Sequence, residues 1–286
     1  MEIFKSAKKL QSHCESLRLG GKRISFVPTM GYLHEGHLNL MREGKKFGDY
    51  LIISIFVNPA QFGPHEDLEK YPRDFVRDEK LASTAGVDAI FYPENEEMYP
   101  PNYQTYVTVE KVTQNLCGQS RPIHFRGVAT ICAKLFNIVK PHTAIFGKKD
   151  FQQLVTIQRM VNDLNMDLAV VGIDTTREDD GLAMSSRNAY LKKDERESAL
   201  SLSRSLIKGK EMYDAGERNA GVIIKKLTEF IASHTSTKID YVKICDTENL
   251  EDIDILSNKS VLALAVWVGS TRLIDNYVFG EPLNIK

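Results

Sequence analysis

His34 and His37 lie three residues apart in Pro28-Thr29-Met30-Gly31-Tyr32-Leu33-His34-Glu35-Gly36-His37. Apolar residues 24–27 precede this stretch, and residues 38–47 after it have helical character. A strand, a glycine turn and a helix in that order set backbone N–H groups and the positive end of a helix dipole at a sheet's mouth, where phosphate binds. Imidazoles three apart on the first helical turn face one side and reach one anion. The plainer alternative is a pair of helix-start histidines making local hydrogen bonds. Zinc hydrolysis fits poorly, because the His-Glu-x-x-His helix needs its histidines four apart.

Three further patches could carry chemistry. Gly147-Lys148-Lys149-Asp150 follows an apolar run and opens a helix. Gly147 permits close backbone approach, a lysine pairs with phosphate, and Asp150 suits ribose hydroxyls; the simpler alternative is a capped helix start with solvated lysines. Met184-Ser185-Ser186-Arg187 forms a donor-rich strip suited to phosphate oxygens, although such a tetrapeptide also occurs in ordinary surface loops. Asn58 and Gln61 follow the most apolar strand and offer uncharged amides to a hydroxy acid or an amine. An Asn-Pro turn ending a strand explains them equally well.

The elements that must position these groups alternate. Strands are expected at 24–27, 50–57, 88–92, 144–146 and 168–173, with helices at 38–47, 67–85, 128–139 and 151–164. Residues 51–57 are apolar almost throughout, as in a strand covered on both faces. Repeated β-α-β units predict an α/β fold with a Rossmann-like, doubly wound parallel sheet that binds ligands beyond its carboxyl edge. Past about Thr176 the rhythm changes to two helices (194–213 and 220–233) and three β-runs (239–245, 260–268, 272–278), a smaller α+β domain. The expected division is 1–175 and 176–286.

Bulk composition narrows the class. The 286 residues carry a formal net charge of −1, which argues against a dedicated nucleic-acid binder. Four scattered cysteines without a Cys-x-x-Cys pair argue against structural zinc or a disulfide framework and fit a reducing cytoplasm. No signal-peptide core stands at the start, and the longest apolar run, 261–268, is far below the roughly 20 residues that span a bilayer.

With these patches in this order, the chain resembles the pantoate–β-alanine ligase family over nearly its whole length. The likeness runs through the histidine motif, Ser54-Ile55-Phe56-Val57-Asn58-Pro59-x-Gln61-Phe62, Arg121-Pro122-x-His124-Phe125-Arg126-Gly127, Phe146-Gly147-x-Lys149-Asp150-Phe151-Gln152-Gln153, Gly181-Leu182-Ala183-Met184-Ser185-Ser186-Arg187-Asn188 and Arg272-Leu273-Ile274-Asp275-Asn276. The histidine motif alone would indicate only nucleotidyltransferases and class I synthetase-like folds.

The resemblance implies ATP-dependent joining of pantoate to β-alanine through a pantoyl adenylate, with Mg²⁺ required and AMP and pyrophosphate released. It assigns ATP to Met30, Gly31, Tyr32, Leu33, His34, Glu35, Gly36 and His37, then to Gly147, Lys148, Lys149 and Asp150, and to Thr176, Met184, Ser185, Ser186 and Arg187. His37 is the implied proton donor, with His34, Lys149 and Arg187 beside it in the chemistry; Lys148 varies among relatives. Some relatives carry an aliphatic residue in place of Thr176, and a backbone contact to adenine survives that change. Gln61, Gln153 and Asn58 are implied for substrate, and Asp78 aligns with an acidic position near the metal. The resemblance further implies a cytoplasmic homodimer whose second domain acts as a lid.

No protein nucleophile is needed, because the activated acyl group rides on AMP. Alignment and charge placed where negative charge develops must then carry the rate. The rivals are a nucleotidyltransferase of the same superfold, an aminoacyl-tRNA synthetase fragment and a non-catalytic ATP binder. Release of AMP, with and without β-alanine, separates them.

Overall fold

The structure, a computed structural model, describes residues 1–64 and 66–285. In chain order its main elements are β1 (Glu2–Phe4), α1 (Ala7–Leu19), β2 (Ile24–Thr29), α2 (Glu35–Gly44), β3 (Tyr50–Ile55), α3 (Phe75–Thr84), β4 (Ala89–Phe91), α4 (Asn95–Met98), α5 (Cys117–Ser120), α6 (His124–Val139), β5 (Thr143–Gly147), α7 (Phe151–Asp163), β6 (Ala169–Ile173), α8 (Arg196–Asp214), α9 (Ala220–Ala232), β7 (Thr237–Asp246), β8 (Ser260–Val268) and β9 (Thr271–Val278). Packing divides the chain into two units. One comprises Met1–Glu110, Arg121–Lys148 and Thr156–Asp174; the other comprises Lys111–Ser120, Lys149–Val155 and Thr175–Lys286. The second unit therefore includes the opening of α7, which a single boundary at 175/176 leaves in the first.

In the first unit, six strands among the described residues form a sheet in the order β1-β4-β3-β2-β5-β6. All its pairings are parallel. Successive strands run outward from β2 toward β4 and, on the other side, from β5 to β6. The reversal between β2 and β5 is the switch point of a doubly wound sheet, where ligands bind beyond the strand ends. One face buries Val27, Ile53, Ile90 and Ile145 with Leu38 and Met41 of α2 and Ala82 of α3. Their alternate neighbours Phe26, Ile52, Phe91 and Ala144 are also fully buried, so both faces are covered.

Among the differences from the sequence-based expectation, three have a plain physical reason; smaller ones include β3 ending at Ile55, not 57, and α2 and α6 starting at Glu35 and His124, not 38 and 128. Strand β2 runs past residue 27 through Pro28 to Thr29. The Ile24 carbonyl accepts from His142 N–H, whereas the Thr29 carbonyl accepts from Phe56 N–H, so even-numbered residues of β2 turn their backbone groups toward β5. Pro28 is next in that series and has no N–H to donate. The β2–β5 pairing stops at Phe26↔Ala144, and the strands separate where the two phosphate-type turns begin. Helix α3 begins at Phe75, not at 67, because Pro72 interrupts the pattern and the Asp74 carboxylate caps the helix by accepting from Arg77 N–H. Finally, β1 and α1 precede the first predicted strand; β1 has three residues, too short for a visible alternation.

In the second unit, three strands among the described residues pair antiparallel in the order β7-β8-β9. Leu202 and Leu206 of α8 and Ile223, Leu227 and Ile231 of α9 pack with Leu262, Leu264 and Val266 of β8 in one apolar core. Among the described residues, no helix is long and apolar enough to cross a membrane.

Candidate active site

The turn after β2 is held from beneath. Asp78 of α3 is 1% exposed, and its carboxylate accepts from Tyr32 N–H at 2.6 Å and Leu33 N–H at 2.7 Å. Burial pushes its carboxyl above the usual value, and the two amide bonds offset part of that rise. A Cβ on Gly31 (φ +81°) would lie 2.9 Å from the Ile55 side chain and 3.0 Å from Asp78 Oδ2, so only glycine fits here. The Thr29 hydroxyl donates to Ser54 O at 2.7 Å and accepts from Gly31 N–H at 3.2 Å.

His34 is the N-cap of α2 and His37 stands three positions on, with ring centroids 4.0 Å apart. His37 Nδ1 accepts from His34 N–H at 3.3 Å. A neutral His37 therefore carries its proton on Nε2, which is then the ring's donor. Glu35 is exposed and pairs with Arg42. Gly147 ends β5, and a Cβ there would lie 3.9 Å from Leu40 of α2, which places that backbone beside the histidine helix. Lys148 pairs with Asp174 at 2.8 Å.

A polar cluster follows β3. Asn58 Nδ2 donates to Gln61 Oε1 and to Gly127 O, both at 3.1 Å. Gln61 Nε2 lies 3.1 Å from Met30 Sδ, which joins this cluster to the first turn. His124 Nδ1 is 3.0 Å from Gln61 O. A Cβ at Gly127 would lie 2.3 Å from Ala60 O, so α6 can approach this loop only through a glycine. Arg121 forms an ion pair with Glu66. Burial alone would raise the Glu66 carboxyl, but the hydrogen bonds and charge of Arg121 outweigh it and hold the group below its usual value.

The remaining expected residues lie in the second unit. Lys149 is half-buried, with Nζ 3.8 Å from Asp150 Oδ2, and Asn276 Nδ2 donates to Lys149 O at 2.8 Å. Gln152 Oε1 accepts from Cys117 N–H at 3.0 Å, and its Nε2 donates to Val112 O and Asn115 O. Gln153, next in the chain, is half-buried. Met184 N–H donates to Thr176 O at 3.0 Å, bringing those two together across a short hairpin. Ser185 caps a single 3₁₀ turn, Ser186–Tyr190, by accepting from Arg187 N–H at 3.3 Å. Asp275 is 2% exposed and takes a two-pronged ion pair from Arg177 at the hairpin's base.

Arg121, His124, Gly127, Gln152, Asp275 and Asn276 are visible beforehand only as parts of motifs; their contacts show them as supports. Thr29 likewise stands only within the histidine motif, whereas Glu66 and Tyr99 carry no signal that could single them out. Asp78 was expected near a metal, and in the structure both its oxygens bind backbone amides. Among the described residues, no three His, Cys, Asp or Glu side chains gather as a metal-binding group.

Comparison with known proteins agrees with this layout. A family model described as pantoate-beta-alanine ligase matches residues 2–278. A pantothenate synthetase of Syntrophus aciditrophicus is 67% identical over the full length of both chains. One from Desulfatibacillum aliphaticivorans is 56% identical over 99% of this chain and 100% of its own. The crystal structure of pantothenate synthetase from Thermus thermophilus matches with a TM-score of 0.92 at 40% identity, covering 97% of this chain and 99% of that one. The ligase from Francisella tularensis, complexed with beta-gamma ATP and beta-alanine, matches with a TM-score of 0.80 at 31% identity over 97% of each chain. From the sheet's switch point to the closing Asp-Asn pair, the chain belongs to the pantoate-beta-alanine ligase family.

Proposed function

We infer that this protein condenses pantoate with β-alanine at the expense of ATP, forming a C–N bond through a pantoyl adenylate and releasing AMP and pyrophosphate. The observation that carries this reading is the full-length family match falling on a sheet whose two phosphate-type turns flank its switch point. In the first step a pantoate carboxylate oxygen attacks the α-phosphorus and pyrophosphate leaves. In the second, the neutral amine of β-alanine attacks the acyl carbon, AMP leaves with the electron pair of the broken C–O bond, and the amine's proton passes to solvent or base.

Within this reading, residues 30–37 bind ATP, with His37 Nε2–H the donor to phosphate oxygen and His34 beside it. Gly147, Lys148, Lys149 and Asp150 are assigned to phosphates and ribose, and Thr176, Met184, Ser185, Ser186 and Arg187 complete the nucleotide contacts. Gln61 and Gln153 are assigned to pantoate, with Asn58 behind Gln61. Mg²⁺ enters as part of the MgATP substrate, bound to phosphate oxygens as this hard cation prefers. Asp78 spends one acceptor site on each oxygen holding the turn's amides, so a loop-clamping role suits it, and any metal there would share those oxygens with the turn. A homodimer in the cytoplasm, with the C-terminal unit acting as a lid, completes the proposal; the four free cysteines suit a reducing compartment.

The test is product analysis from pantoate, β-alanine and MgATP. Pantothenate, AMP and pyrophosphate are expected in equal amounts, with steady AMP release dependent on β-alanine. Pyrophosphate formed while the nucleotide stays on the product would instead mark a nucleotidyltransferase.

A further inference from the structure

Behind Gln61 lies a buried polar relay whose last member, Tyr99, has no part in the family motifs. We propose that Tyr99 is a positioning residue for the pantoate subsite, acting through Asn58 to present the Gln61 side-chain NH₂ as a hydrogen-bond donor; this rests on the assignment of Gln61 to pantoate.

The relay can be followed atom by atom. Asn58 is 1% exposed, so its amide must find all its partners within the protein. Its Oδ1 accepts from the Tyr99 hydroxyl at 2.7 Å and from Ala60 N–H at 3.3 Å. The tyrosine bond is the shorter of the two. Burial pushes the Tyr99 hydroxyl well above its usual pKa, with neighbouring Tyr103 adding to the effect, so the donor stays protonated. With oxygen fixed on that side, the Asn58 NH₂ must face the other way. There it meets Gly127 O, which can only accept, and Gln61 Oε1.

The orientation of Gln61 follows. Its Oε1 is occupied as an acceptor, and its main-chain carbonyl faces His124 Nδ1 at 3.0 Å. Only the NH₂ end remains to meet a substrate, and its neighbour is Met30 Sδ at 3.1 Å. A thioether is a weak acceptor, and a hydroxyl or carboxylate oxygen would replace it with gain. A flipped Gln61 would offer an oxygen instead, repelling a carboxylate and reversing the sense of any hydroxyl contact. The Tyr99 ring packs near Phe56 and edge-on to Tyr103, at centroid distances of 6.4 and 5.0 Å, so Tyr99→Phe removes the hydroxyl and keeps the packing.

Steady-state kinetics of Tyr99→Phe, Gln61→Ala and the double variant test the relay. Tyr99→Phe is expected to raise the pantoate KM about three- to tenfold, the range for one neutral hydrogen bond, while the KM values for ATP and β-alanine stay put. Gln61→Ala raises the pantoate KM at least as much, and the double variant matches Gln61→Ala alone, because the relay has lost its target. Effects that multiply would make Tyr99 a packing residue and overturn the inference, leaving the role of Gln61 intact. An unchanged pantoate KM in Gln61→Ala would overturn that role and the relay with it. Should Tyr99→Phe fold poorly, Asn58→Asp, which cannot donate to Gln61 Oε1, is expected to give the same pantoate-specific rise, again hidden by Gln61→Ala. A rise shared with ATP would count against the relay.

Discussion

The turn after β2 and the loop carrying Ser185 to Arg187 are assigned similar work and are built in opposite ways. In the first, buried side chains fix nearly every backbone donor: Asp78 holds two amides, Thr29 a third, and Gly31 sits where no other residue fits. The second is half-buried, and the restraints it shows are hydrogen bonds within its own neighbourhood: the Ser185 cap, the hairpin bond from Met184 to Thr176 and the Asn188 amide's bonds to Glu178 and Ala183 O. Folding determines the geometry of the first before any ligand arrives, as a preorganised site requires. A loop held by its own local bonds, with no buried carboxylate beneath its amides, is the kind of segment that adjusts around a ligand.

The largest effects probe whether the two units share the chemistry. His37→Ala in the first unit and Lys149→Ala in the second are each expected to slow adenylate formation at least about 100-fold, the order for losing a transition-state donor. A near-wild-type single-turnover rate for either would remove that residue from the reaction. Asp78→Asn is expected to destabilise the protein by about 1–3 kcal/mol, because an amide NH₂ then faces a backbone N–H in a buried site; an unchanged urea midpoint contradicts the clamp. Ser185→Ala, by contrast, is expected to shift unfolding by about 1 kcal/mol or less, since it removes one cap of a short, half-buried turn. A loss as large as that of Asp78→Asn would erase the contrast between the two regions.

The smallest effect is electrostatic. Arg121 holds Glu66 below its usual pKa, so the stabilisation is fully present above the unfolded value of about 4.3 and is lost as pH falls through the lower folded value. Melting temperature should therefore drop more steeply below about pH 5 in the wild type than in Glu66→Gln. Parallel curves would show that the pair contributes no pH-dependent stability.

Much of this fold was legible because its signals are local. Residues 51–57 announce a strand covered on both faces, and a glycine turn between strand and helix marks the ligand edge. What stayed hidden depends on distant contacts. Nothing near Tyr99 shows that its hydroxyl meets Asn58, 41 positions away. Nor does the acidic residue at 78 reveal that its oxygens will be taken by a turn 45 and 46 positions earlier. The sequence pattern overextends helix α3 because residues 67–71, Asp-Leu-Glu-Lys-Tyr, are helix-tolerant in isolation, whereas Pro72 and the Asp74 cap decide its true start. The second unit gathers residues 111–120 and 149–155 from far along the chain, which no linear pattern can announce.

Pro28 bears on how this enzyme could be hardened by mutation. Any residue with an amide hydrogen at that position would offer β5 one more rung, and the two strands could zip on toward Gly147. The sheet would grow firmer at the point where it now forks. Selection for a tougher scaffold and selection for an open cleft therefore pull this single backbone nitrogen in opposite directions.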